Sequence, residues 1–244
     1  LKGFAVLIVF LLARREFDSL LDGVVYAAIA ALGFAATENA YYIYTYGYQE
    51  GGWAGFLGMV FVRVILVGWQ HPFYTAFTGI GLAVARLNRN LGVKLAAPLL
   101  GWSLAVFTHA LHNSLATFFS GKFSLIFGTA LDWTGWFFMF LFILWATSQD
   151  RRAIENHLKE EVSLGIISLD HYRVATSAWI QVAVRFSALL SGRYLATARF
   201  YQLCAELAHK KHQRQALGEE SGNSPIIERL RSELARLAPA AVNK

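Results

Sequence analysis

The sequence predicts an all-α fold: a polytopic membrane helix bundle with a cytoplasmic helical tail. Three observations point there. The 244 residues are 56% apolar and 16% charged, with a mean hydropathy of +0.41, whereas about a quarter of the residues in an average soluble domain are charged. Four runs, roughly 19–46, 53–86, 95–119 and 124–146, reach the length a bilayer crossing needs, about 20 mostly apolar residues. Charge is also segregated: residues 1–146 hold 8 Lys/Arg and 6 Asp/Glu, residues 147–244 hold 14 and 10. The first 146 residues therefore read as a membrane-embedded domain and residues 147–244 as a polar tail.

Taken in order, residues 3–13 form about half a span, a first helix cut at its start. The chain opens on Leu1 with no initiator Met and no cleavable signal peptide, as a fragment would. Run 19–46 follows the basic pair Arg14–Arg15, with Asp22 as an interfacial charge near its start. The loop from Gly47 to Gly52 has no Lys or Arg. Run 53–86 is awkward, since at 1.5 Å per residue it would be roughly 50 Å long against a 30 Å hydrocarbon core. One long helix, tilted or kinked at Pro72, satisfies the odd number of crossings required there; a re-entrant turn near His71–Pro72 is the other option. Arg86, Arg89 and Lys94 precede run 95–119, Lys122 precedes run 124–146, and Arg151–Arg152 follow it. Basic loops alternate with basic-poor ones, so the basic side and the tail are expected in the cytoplasm of a multi-pass cell-membrane protein. Gly23, Gly33, Gly79 and Gly81 read as sites of close helix approach. Asp132 and Trp133 lie in a run rich in aromatics, in which Trp133, Trp136 and Trp145 read as belt or lipid-facing residues.

In the tail, helical spacing covers 153–162, 175–190 and 194–214, with a turn at Gly165. A polar break at Gly218–Pro225 precedes a short amphipathic helix at 226–237. His157, His171, His209 and His212 read as solvated and Cys204 as a small buried group. A single cysteine rules out an intrachain disulfide framework and a Cys-based metal site. The net charge of +6 suits anionic lipid; no base-reading motif points to nucleic acid.

Ionisable residues inside spans are costly, at about 2.5–3.5 kcal/mol each on lenient scales, and mark function by default. Glu38 and Asn39 fall about 20 residues past the cytoplasmic end of their helix, in the outer half of the bilayer. Arg63 stands two turns before His71 on a similar face. His109, His112 and Asn113 sit at i, i+3 and i+4, on one face of a third helix. Three spans thus deliver polar groups to one depth. Glu and His at such a site can activate water for attack on a peptide carbonyl while Asn and His steady the oxyanion. Alternatively Glu38, His71, His109 and His112 could hold a zinc ion. The zinc signature HExxH is absent, and zinc and metal-free versions both stay open. An ion or proton transporter or channel and a His-ligated haem protein are the competing classes.

Three stretches carry a family resemblance. Asp22–Asn39 (DGVVYAAIAALGFAATEN) is similar to the second motif of the PrsW intramembrane proteases. Arg63 with His71 and Gly79 resembles the third, and His109–Asn113 (HALHN) the fourth. HxxxN is shared with the CAAX-protease and bacteriocin-processing superfamily. The match covers roughly residues 2–146. It implies an intramembrane endopeptidase acting on single-span membrane proteins such as anti-sigma factors, near the extracytoplasmic side. Carried over, Glu38, His71, His109 and Asn113 are catalytic, with Lys2, Asn39, Arg63 and His112 in support. The family's first motif has a Glu-Glu pair three residues before a Lys. Lys2 stands at that Lys, which puts the pair before Leu1 and makes this fragment inactive if one of them is the base.

Overall fold

The computed structural model describes residues 2–119, 122–219 and 222–241. Among them every regular element is helical. Contacts divide the chain into two compact units, 1–146 and 147–244. Three helical stretches, Leu20–Arg86, Leu91–Leu115 and Phe123–Ser163, are long and apolar enough to cross a membrane, which makes the first unit a polytopic membrane helical bundle.

In the first unit, α1 (Lys2–Leu12) runs into α2 (Leu20–Tyr42). The start of α2 is a capping box: Asp22 N–H donates to Ser19 Oγ at 3.3 Å, and Ser19 N–H donates to Asp22 Oδ2 at 2.7 Å. Asp22 thus satisfies free N–H groups and favours the helix dipole. α2 continues as a wide π turn at Ile43–Tyr48 into α3 (Gln49–Val60), and the chain reverses at Gly52, whose φ of 57° favours glycine. A second π turn, Phe61–Leu66, ends at a break over Val67–Trp69, and α4 (Gln70–Arg86) begins there. The run 53–86 is therefore not a single helix bent at Pro72. The break comes three residues earlier, and Pro72 falls in the first turn of α4, where a missing N–H costs nothing.

α4 is the centre of this unit, buried at nearly every position from Gln70 to Arg86. The reason is glycine. A methyl group on Gly79 would run into the Gly23 carbonyl of α2, so the two backbones touch; Gly81 meets the Ala97 carbonyl of α5 (Leu91–Phe118) in the same way. Gly33 has no neighbour within 4 Å and plays no such part. On a third side α6 (Lys122–Ser163) packs through Gly135 on Phe73 and Met139 in the core, and Trp136 Nε1–H donates to the Trp69 carbonyl at 3.1 Å. Leu99 and Phe138, 64% and 63% exposed, point outward, as side chains facing lipid should.

In the second unit the end of α6 turns at Gly165 (φ 70°) into α7 (Leu169–Ala175), α8 (Ala178–Leu190), α9 (Tyr194–Leu217) and α10 (Asn223–Ala241). Leu158, Phe200, Leu203, Cys204, Leu207, Ile227 and Leu234 form its core. Glu161, fully buried, is balanced by Lys211 and by Arg231, whose Nη2–H donates at 2.8 Å. His171 is not solvated: it is buried, closes the capping box of α7 with Ser168, and packs its ring on Phe200. An aromatic neighbour and a cap keep it inside, which helical spacing alone does not reveal.

Two outcomes follow. Gly79→Ala forces α2 and α4 apart and lowers stability by about 1–3 kcal/mol, while Gly33→Ala is neutral or slightly stabilising, measured as unfolding midpoints in detergent. Burial holds the His171 imidazole below its usual 6.5, and burial with His212 nearby does the same to His157. The unfolded chain then takes up protons first as pH falls, so this stabilisation is complete above about pH 6.5 and is lost below it. Hydrogen exchange on the full chain should show α7 and α9 amides opening more at about pH 5.5 than at about pH 7.5, and less of that difference in His171→Phe.

Candidate active site

Glu38 is the anchor. Its Oε2 accepts from Arg63 Nη2–H at 2.8 Å and lies 2.9 Å from His71 Nε2. Arg63 Nε–H donates to Asn39 Oδ1 at 2.9 Å, and its guanidinium sits 4.0 Å over the Tyr42 ring. Glu38, Asn39 and Tyr42 fall close together around α2 because one residue turns the helix by about 100° and four return to the same face. Arg63 lies in the second π turn, a geometry that recurs at functional sites. His71 enters because α4 starts afresh at Gln70, which puts His71 in its first turn. Its other nitrogen, Nδ1, is 2.6 Å from Lys2 Nζ, and that ammonium lies 4.4 Å over the Phe34 ring. Four elements thus supply one cluster: Lys2, Glu38 with Asn39, Arg63, and His71.

His109 comes from α5. Its ring meets His71 edge-on, centroids 6.0 Å apart, and stacks on Tyr74 at 5.2 Å. Among the described residues its nitrogens have no hydrogen-bond partner. Glu38 Oε1 is likewise without a donor among the described residues. Glu38 and His109 both line a cavity of about 300 Å³, walled by Phe34, Trp102 and Val106.

His112 and Asn113 do not join this cluster. His112 turns toward α6, with Nδ1 at 3.1 Å from Asp132 Oδ1, though not aligned for a hydrogen bond. Asn113 is exposed, its side chain without a hydrogen bond among the described residues. α5 faces α4 along Ala97, Gly101, Ala105 and His112, with His109 at one edge. Asn113 lies about 100° round from His112 and outside that strip.

Asp132 is the residue the sequence reading passed over. Only 2% exposed, it accepts from Gln70 Nε2–H at 2.6 Å and from the Tyr74 hydroxyl, and it is the carboxylate beside His112. A charge inside an apolar run was the signal, the same one that singles out Glu38; the surrounding aromatics masked it. Asp132 holds Tyr74, and Tyr74 is the platform under His109.

The set Glu38, His71, His109 and His112 does not form a metal site. Among the described residues no group of three or more His, Cys, Asp or Glu side chains is placed to hold an ion. Both nitrogens of His71 are engaged, and two cations, Lys2 and Arg63, flank it and Glu38.

Asp132→Ala leaves Gln70, Tyr74 and His112 facing a void and should cost about 3–5 kcal/mol of stability. Asp132→Asn, which keeps an acceptor oxygen, should recover most of that; unfolding midpoints in detergent compare them.

Residues 1–146 match the model of the PrsW family intramembrane metalloprotease. The "Protease PrsW" of Oceanobacillus iheyensis is 30% identical over 113 residues, which is 46% of this chain and 47% of that protein. The chain thus aligns with about half the length of that curated relative. No solved structure matches. With the matched segment containing the whole of the Glu38, His71 and His109 cluster, the chain belongs to the PrsW family of intramembrane metalloproteases.

Proposed function

We propose that this protein is an intramembrane peptidase that hydrolyses peptide bonds of single-span membrane proteins, anti-sigma-factor-like in kind, near the extracytoplasmic side. The observation that carries the reading is that Lys2, Glu38 and His109 line one cavity, the His109 imidazole without a hydrogen-bond partner among the described residues. The depth of Glu38, about 20 residues beyond the cytoplasmic end of its helix, supports the side.

In this reading Glu38 takes a proton from water at Oε1 while its Oε2 stays fixed by Arg63 and His71. The water oxygen bonds to the scissile carbonyl carbon. The carbonyl oxygen, now negative, is stabilised by Lys2. As the carbon–nitrogen bond breaks, His109 gives a proton to the departing amine and recovers one from Glu38, so water is divided between the two products. Asn39 fixes Arg63, Tyr74 holds the plane of His109, and His112 acts through Asp132 and Gln70. Asn113 has no part. The family description names a metal; the residues described do not assemble ligands for one, and no step is routed through it. Haem ligation by His71 is disfavoured because neither of its nitrogens is free.

Full-length protein co-expressed with a tagged single-span substrate should release a shortened fragment. His109→Ala and Glu38→Gln should each lower that release by about 10²–10⁴-fold, with the protein present at wild-type level. Cleavage that survives both substitutions would falsify the mechanism.

A further inference from the structure

The tail carries a helix whose amphipathicity is inverted. Around α8, Ala178, Trp179, Val182, Ala183, Phe186, Leu189 and Leu190 occupy one continuous arc of roughly 140°, and that arc is the exposed one. Trp179 is 86% exposed, Val182 64%, Phe186 62% and Leu190 76%. Gln181 and Arg185 lie instead on the inner side with buried Ala188. Leu195, 82% exposed at the start of α9, lies just beyond. A water-facing surface normally shows the opposite arrangement, and contiguous exposed apolar patches mark interaction sites.

The charge around this face identifies what covers it. From Thr176 to Ala205 the sequence has no Asp or Glu, and residues 147–244 as a whole hold 14 Lys/Arg against 10 Asp/Glu. An apolar face with a tryptophan and no acid on its own helix, carried by a net basic tail, fits the boundary of a bilayer, where the apolar side chains enter by about 5–10 Å and net positive charge draws anionic headgroups. The tail also continues in sequence from a helix long and apolar enough to cross a membrane. At 13 residues α8 is too short to span. We infer that α8 is an interfacial helix that lays Trp179, Val182, Phe186 and Leu190 into the surface of a bilayer containing anionic lipid, tying the tail to the membrane. The inference depends on membrane residence and not on peptidase activity.

The test uses full-length protein in nanodiscs, with Phe186→Cys or Arg229→Cys carrying an environment-sensitive maleimide fluorophore. Arg229 is exposed on α10, and Cys204, buried with its thiol pushed up to about 12, does not compete for label. The label at 186 should shift to the blue and be quenched by lipids bearing a nitroxide near the headgroup more than by lipids bearing one deep in the chain. Quenching should grow several-fold when phosphatidylglycerol replaces part of the phosphatidylcholine, and the label at 229 should respond to neither. A second variant, Val182→Asp with Leu190→Asp, should abolish the slowing of α8 amide exchange by anionic lipid while helicity is kept. A label at 186 that stays water-exposed in every lipid overturns the inference. A label that is shielded yet unquenched also overturns it, since a protein surface and not lipid then covers α8.

Discussion

The membrane unit depends on keeping the Glu38 carboxylate ionised in an apolar bundle. An unpaired carboxylate inside an apolar bundle would cost several kcal/mol, so the fold must bring donors to it. Arg63 and His71 both meet Oε2, and Lys2 closes the far side of His71. Those partners explain otherwise odd backbone features. The π turn at Phe61–Leu66 carries Arg63, and the break at Val67–Trp69 restarts the helix so that His71 enters from its first turn. A straight helix over 53–86 would hold Arg63 and His71 at fixed positions two turns apart; the irregular backbone lets both reach one oxygen.

A second carboxylate, Asp132, stands on the other side of α4. Gln70, adjacent to His71, and Tyr74, one turn on, both donate to it. α4 therefore carries His71 toward Glu38 and Gln70 with Tyr74 toward Asp132, and His109 touches both groups through His71 and Tyr74. Each carboxylate is satisfied within its own neighbourhood, which lets two acids share one small bundle. Glycine makes this geometry possible: with Gly23 against Gly79 and Gly81 against Ala97, α4 lies close enough to α2 and α5 for short side chains to bridge them.

Much of this could be read from residue order. The apolar runs, the polar tail and the candidate residues Glu38, Arg63, His71 and His109 follow from bilayer length and the cost of buried charge. Other features could not. Asn113 and His112 share a helical face with His109 on spacing alone, yet α5 presents only a narrow strip to α4, which divides the three among cavity, Asp132 and surface. Asp132 drew no attention because it lies in a run rich in aromatics, and only its burial against α4 reveals its three partners. Gly33 resembles Gly23 in sequence but meets nothing, and His171 is held inside by Phe200, a partner 29 positions away.

By itself, then, the sequence determined that the chain is helical, that it carries runs long and apolar enough to cross a bilayer, and that a few ionisable groups within those runs must find partners. Solvation dictates all three: apolar length and buried charge are properties of residues before they meet. Tertiary structure decided which charge meets which. Ion pairs and hydrogen bonds act over about 3 Å, and whether two residues come that close depends on where helices break and how closely their backbones approach.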